Sequence, residues 1–317
     1  MLRNTLRFGF LCMALPLSLL FVGCPTQASY QTTITPIYAA TNSGLFVFNG
    51  TSWTNYTTAN GLASNAVTSV VVSGSGSGAT VFAGTSSAGI SYSHGSAWTT
   101  WTQATNGLGS NTINRLFLGS NLFAATSGGL STYNFGGTWT NAATPASVND
   151  VSFYGTFTYV AANAGLYVFN GTSQVLASPY APSSIIASST KVNAVLVDSA
   201  QDIIAGTDKG LAILYYGSPS FTTLGLPANT NVHGLFLDST GTLYAASDSG
   251  LFILGTGTYP ALPATAVFCV YVDGAGTIYA GTATGLKISN DGGTSWTTSL
   301  AGQTVNCVVA TAPLYSF

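Results

Sequence analysis

The sequence contains no glutamate, and charged residues of every kind make up only 4% of its 317 positions. Paired Glu/Asp carboxylate chemistry of the glycosidase type is therefore not indicated. There are two histidines, His94 and His233. Neither stands in a motif with a nucleophile and an orienting acid, so no hydrolytic constellation can be read and no catalytic residue is assigned. Apart from Arg3 and Arg7 near the start, Arg115 is the one arginine, and the chain beyond the start balances four cations against eight Asp. Nucleic-acid binding needs clustered Lys and Arg, which are missing. Asp198 and Asp202 fall in one turn and Asp208 in another rather than at metal-ligand spacing, so no metal and no cofactor is expected. Beyond the N-terminal segment no run is long and apolar enough to span a bilayer.

What is present is a phrase that returns. Its clearest copy is Thr277-Ile278-Tyr279-Ala280-Gly281-Thr282-Ala283-Thr284-Gly285-Leu286-Lys287-Ile288: an apolar strand, a small-residue turn ending in Gly, and a second apolar strand. The aliphatic residue after the turn recurs as Leu45, Ile90, Leu130, Leu166, Leu211, Leu251 and Leu286. A period of about 40 residues suits one four-stranded propeller blade. Each copy is preceded by an apolar strand, such as Val192 to Val197, and followed by a Thr- and Ser-rich strand opened by an aromatic: Trp53, Trp98, Trp139, Phe221, Tyr259 or Trp296. Hydrophobic residues at 46% are enough for a core. The regular aromatic and β-branched positions argue against the disorder that low charge and many glycines can signal.

The expected fold is all-β: a seven-bladed β-propeller of four-stranded antiparallel blades. Residues Ile37 to Thr54 supply three strands of a first blade and Val305 to Ala310 a lone inner strand, so the C-terminal strand should complete the N-terminal blade. Such closure removes open sheet edges. The tail Pro313 to Phe317 has no place in this scheme. The expected organisation is a signal segment over 1–23, a tether over 24–31 and one propeller over 32–317.

The start reads as an export signal. Arg3 and Arg7 precede an apolar run from Phe8 to Val22, which ends Leu20-Phe21-Val22-Gly23-Cys24. That ending resembles the bacterial lipoprotein signal, in which the Cys is lipidated and becomes the new N-terminus; ordinary cleavage nearby is the alternative. The resemblance implies a lipid anchor on Cys24 and a place in the bacterial envelope, at the outer membrane or cell surface.

Aligning the inner strands puts Cys269 and Cys307 at one blade position on neighbouring blades. Equivalent positions point the same way round a ring, so two buried thiols are expected rather than a disulfide. The same position holds Arg115 and Asp150 on adjacent blades, a pair that either fixes blade order or presents charge to a ligand in the channel mouth. One place earlier stand Asn114, Asn149, Asn193, His233 and Asn306, with Thr68 and Phe268 in the remaining blades. This ring is read first as satisfying backbone groups and second as a binding surface. Of the loops, Pro179-Tyr180-Ala181-Pro182 is the most distinctive: a rigid spacer on one reading, a binding loop with Pro179, Tyr180 and Pro182 as contacts on the other.

Two families share these motifs. The run Leu45-Phe46-Val47-Phe48-Asn49-Gly50-Thr51-Ser52-Trp53-Thr54-Asn55-Tyr56-Thr57 with Asn60-Gly61-Leu62, and Gly206-Thr207-Asp208-Lys209-Gly210-Leu211, resemble the two-component regulator propeller repeat over most of residues 32–311. Such repeats build the periplasmic sensor portion of hybrid histidine kinases. The run Ser289-Asn290-Asp291-Gly292-Gly293-Thr294-Ser295-Trp296 resembles the Asp box of sialidases and related propellers. That resemblance implies structural roles for Ser289, Asp291, Gly293 and Trp296. Sialidases hold their substrate carboxylate with three arginines, and the single Arg115 excludes that activity.

These readings favour a non-catalytic, membrane-tethered monomer that binds an envelope protein or glycan. A ligand-sensing accessory to a two-component system is the alternative, and a propeller-scaffold hydrolase or lyase the least supported.

Overall fold

The computed structural model describes residues 33–311, apart from 76–77, 96, 143–144, 171–172, 177–190, 228 and 256–260, together with 314–315. The expected signal segment, Cys24, the tether, Tyr259 and the Pro179–Pro182 loop lie outside the described residues.

Seven four-stranded antiparallel sheets form the blades of a propeller. The inner strands, in ring order, are Val305–Ala310, Val67–Ser73, Ile113–Leu118, Val148–Tyr154, Val192–Val197, Val232–Leu237 and Val267–Val272. The first of these comes from the far end of the chain. It pairs with Ile37–Thr41, Ala39 lying opposite Val308, and so completes blade 1 as the sequence predicts. Inside each blade the chain steps outward strand by strand. Burial follows that order: the second strands Ile37–Thr41, Ile203–Thr207, Leu243–Ser247 and Ile278–Thr282 are buried throughout. The outermost strands Thr222–Leu224 and Thr297–Ser299 face water. The tail finds a place too: Leu314–Tyr315 pairs antiparallel with Thr33–Ile34, a second contact between the chain ends.

The core is divided. Seven apolar clusters lie one at each blade interface, including that between blades 7 and 1, where Ile37, Tyr279, Leu286 and Val308 meet. Close approach between blades demands small residues on the second strand. Its fourth residue in blade 5 is Gly206, where an added Cβ would fall 2.6 Å from Val232 Cγ1 of blade 6. Aromatics that open the outer strands lean back onto the preceding blade. Trp98 meets Tyr56 edge-on at 5.8 Å, Trp139 meets Trp101 at 5.6 Å, and Trp53 Nε1 donates to Ser299 Oγ at 3.0 Å across the closing interface.

The glycine before each third strand has a double cause. Gly285 has φ +140°, and a side chain there would meet Ser299 O of the outer strand at 2.8 Å. The turn is tied by a hydroxyl at the end of the second strand: Thr41, Thr85, Thr126, Thr207, Ser247 and Thr282 each donate to the carbonyl of their own turn's glycine at 2.7–3.0 Å. In blades 5, 6 and 7 the inner hairpin turns on Asp198, Asp238 or Asp273, whose carboxylate accepts two downstream amides at 2.9 Å.

Candidate functional site

Every inner strand carries one extra residue near its start. The register slips between Val67 and Ser69, Ile113 and Arg115, Val148 and Asp150, Val192 and Ala194, Val232 and Gly234, Val267 and Cys269, and Val305 and Cys307. Such a bulge leaves its residue unpaired and re-aims the side chain. The seven bulged residues are Thr68, Asn114, Asn149, Asn193, His233, Phe268 and Asn306, the ring picked out in the sequence. One backbone irregularity, repeated, places them all at the same mouth of the channel.

Five of the seven reach round the ring to the next blade. Asn306 Nδ2 donates to Val67 O (2.8 Å), Thr68 Oγ1 to Ile113 O (2.6 Å), Asn114 Nδ2 to Val148 O (2.7 Å), Asn149 Nδ2 to Val192 O (2.8 Å) and Asn193 Nδ2 to Val232 O (3.0 Å). A backbone carbonyl can only accept, so the amide group facing it must be the NH2. Three of these amides spend a second donation on a nearby carboxamide oxygen: Asn42, Asn163 and Asn231. The side-chain oxygens of Asn114, Asn149, Asn193 and Asn306 meet no donor among the described residues. The ring breaks at His233, whose Nε2 pairs with the half-exposed Asp248, and at Phe268, which meets the His233 ring edge-on at 5.7 Å.

The next layer closes the channel. Arg115 Nε lies 3.5 Å from Asp150 Oδ1, with the two side chains 23% and 13% exposed. Asp150 Oδ2 accepts the Val195 amide at 3.2 Å. Burial pushes the Asp150 carboxyl up, and Arg115 with the amides of Val195 and Val151 pulls it back only in part. The guanidinium runs on across the channel from blade 3: a Cβ at Gly234 of blade 6 would come within 3.2 Å of Arg115 Nη2. Burial opposes its charge, while Asp150 holds it. Both cysteines are free and buried, and burial with the Cys307 thiol pushes the Cys269 thiol up, so it stays protonated. Edge amides of the inner strands are covered from the preceding blade: Ser69 Oγ accepts from Leu116 and Ser152 Oγ from Val197.

Arg115 thus divides the channel into two chambers. The one at the mouth, about 330 Å³, is lined by the seven bulged residues with Arg115 as floor. The other, about 560 Å³, runs from Arg115 and Asp150 to the hairpin end of the inner strands and is walled by Val, Leu, Phe236 and Tyr271. The sequence places the ring and the ion pair. It misses the second chamber and the bulge itself, although the repeated Val-Asn pair at 148–149, 192–193 and 305–306 marks it. His94 ends the third strand of blade 2, bonded to Thr80 Oγ1 of the second strand at 2.9 Å, and is not part of this lining. Asp291 accepts from Thr294 N, Ser295 N, Ser295 Oγ and Ser289 Oγ, which hold its carboxyl at about 2, and Trp296 Nε1 bonds Ala261 O of blade 6. Among the described residues no three of His, Cys and Asp gather at metal-binding distance.

No protein-family model matches the chain, and no curated protein matches it. Solved structures do. PorZ, described as a bacterial surface component of the type-IX secretion system of Porphyromonas gingivalis, superposes with TM-score 0.62 at 16% identity over 85% of this chain and 37% of that one. The extracellular domain of BT4673 from B. thetaiotaomicron, described in that structure as a putative one component system, gives 0.56 at 18% identity over 81% and 37%. Apo AztD from Citrobacter koseri gives 0.54 at 12% identity over 90% and 100%. The likeness is one of fold. The chain spans little more than a third of the first two proteins.

Proposed function

We propose that the chain is an exported propeller, anchored in the bacterial envelope by lipid on Cys24, that binds the hydroxyl-rich end of a glycan at the Asn-ringed mouth of its channel and catalyses nothing. One observation carries this reading: four carboxamide oxygens ring a chamber of about 330 Å³ while their NH2 groups are already committed to backbone. Acceptors with fixed orientation suit a ligand rich in O–H donors, and orientation settled before binding lowers the cost of ordering the site. Arg115 as floor disfavours a cation there. His233 lines the chamber and, paired with Asp248, serves as a further contact. Ser289 to Trp296 acts as an Asp box, a hairpin brace remote from the mouth.

A second reading, presentation of a small ligand to a sensor kinase, draws on the fold shared with an extracellular domain of a proposed one component system. Isothermal titration of the full chain against a panel of mono- and oligosaccharides tests the first. Phe268 takes no part in the ring of hydrogen bonds, so Phe268→Arg fills the chamber and satisfies its oxygens without unstitching the blades. Binding that is lost in this variant supports the site; binding that survives in the folded variant refutes it. Isolation of a kinase with the chain from solubilised membranes would favour the second reading. Release from membranes on Cys24→Ala tests the anchor.

A further inference from the structure

The opposite end of the channel has other chemistry, and it does not depend on the glycan reading. The second chamber, about 560 Å³, reaches the hairpin end of the inner strands, where Gly74 and Thr311 line it. Its wall includes Val71, Phe117, Leu196, Phe236, Tyr271 and Val309, all partly exposed although apolar or aromatic. A volume of several hundred Å³ lined mainly by apolar side chains is the size and character of a binding pocket.

Around that opening the surface is sorted by blade. Among the described residues, the large hydrophobic side chains that stand exposed are Phe135, Phe157, Tyr215 and Tyr216. Strand direction puts all four on this same face: Phe157 follows the inner hairpin of blade 4, Phe135 sits in the outer hairpin of blade 3, and Tyr215 and Tyr216 sit in that of blade 5. Tyr216 is 71% exposed, and Phe135 holds φ +60°, an unfavourable setting for an aromatic residue. Carboxylates fill an arc that overlaps this one at blade 5 and runs on to blade 7. Asp198, Asp202, Asp238, Asp273 and Asp291 lie in the hairpins of blades 5, 6 and 7, again on this face. Hydrogen bonds favour the charged form of two of them: against burial, bonds from Thr240, Thr242 and Tyr244 lower the Asp238 carboxyl, and bonds from Ser295, Ser289 and Thr294 lower that of Asp291 to about 2. Among the described residues no Lys or Arg sits in these hairpins. Lys191 and Lys209 belong to the other end, and Lys287 bonds Thr298 Oγ1 along an outer strand.

We propose that this face binds a basic, amphipathic segment of a partner protein, which inserts one uncharged apolar side chain into the chamber and lays flanking Lys or Arg on the Asp arc of blades 5–7. The charge pattern selects this occupant. Five fixed negative charges repel an anionic bilayer, a nucleic acid and a fatty acid alike. Arg115 and Asp150 at the chamber floor reject a charged anchor, whereas an apolar one gains from leaving water. Exposed aromatics at the rim are the residue types that carry binding energy in protein interfaces.

The test uses the full chain and a set of synthetic 12-residue peptides, each with one Leu, Phe or Trp and from none to four Lys, followed by fluorescence anisotropy. Affinity should rise with Lys number, fall about tenfold or more between roughly 0.1 M and 0.5 M salt, and require the apolar residue. Asp→Asn at 202, 238 and 273 keeps the turn-capping oxygens and should weaken binding about tenfold. Leu196→Trp, which blocks the chamber, should abolish it. Should that variant misfold, the pair Tyr215→Ser and Tyr216→Ser decides, since both side chains stand exposed at the rim. Binding that ignores Lys number, or survives the Asn set and the folded chamber or rim variants, overturns the proposal. So does stronger binding to phosphatidylglycerol vesicles, or a dimer dissolved by Tyr216→Ser.

Discussion

Asp150→Asn is the most informative single change. The Arg115–Asp150 pair stands 3.5 Å apart in side chains that are both less than a quarter exposed. Its attraction is about 5 kcal/mol at an effective dielectric near 20, and desolvation of the two ions offsets most of that. Removing one partner is another matter, because the survivor stays buried with its charge. The Asn retains an oxygen for the Val195 amide, so the loss isolates the stranded guanidinium. We expect a cost of about 3–5 kcal/mol, read as a fall of roughly 10 °C in Tm for a domain of this size. Arg115→Met strands the carboxylate instead. Burial already pushes Asp150 up, and without the guanidinium it climbs further above its unfolded value. A raised carboxyl lends stability that is complete below the unfolded pKa and is lost as pH rises through the folded one. Arg115→Met should therefore be most stable near pH 4 and weaken towards pH 7, with the wild type changing less. Urea unfolding followed by circular dichroism at several pH values measures both. A cost below about 1 kcal/mol for Asp150→Asn, or no pH dependence in Arg115→Met, would refute the assignment of the pair as the buried partition of the channel.

Other outcomes can be stated briefly. Gly206→Ala should cost about 1–3 kcal/mol by overpacking against Val232, seen as a lower urea midpoint with unchanged slope. Ending the chain after Thr304 should abolish the folded monomer and leave aggregates on gel filtration, because Ile37–Thr41 loses its partner. Cys269 and Cys307 should resist maleimide until the protein unfolds, then react together, as mass spectrometry would locate. Deleting Ser178 to Ser184 should leave thermal stability intact and weaken capture of any protein partner that engages that loop.

Period, blade number and closure are legible in the chain because they rest on local chemistry. A glycine that must take positive φ, a hydroxyl three or four residues before it and an Asp that caps its own turn are visible one residue at a time. The Asn ring is legible as an alignment but not as a geometry. That Asn114 faces a carbonyl of blade 4, and thereby fixes its amide, depends on a bulge that no single strand announces. The division of the channel is harder still. It follows from the reach of one arginine to within 3.2 Å of where a Cβ on Gly234, three blades away, would stand. Phe135, Phe157, Tyr215 and Tyr216 read in sequence as ordinary strand or hairpin aromatics; only the direction of each strand sorts them onto one face. The tail has no place in the repeat pattern because its partner, Thr33–Ile34, lies before the first repeat.

The seam between the chain ends has a consequence for assembly. During synthesis the strand Val305–Ala310, the latch, follows blade 7, so six blades can be complete while the three strands of blade 1 still wait for their fourth. In that interval another copy's latch would fit the vacancy as well as its own, since the pairing is identical in both cases. Crowded nascent chains should therefore yield intertwined dimers, and dilution should favour the self-locked ring.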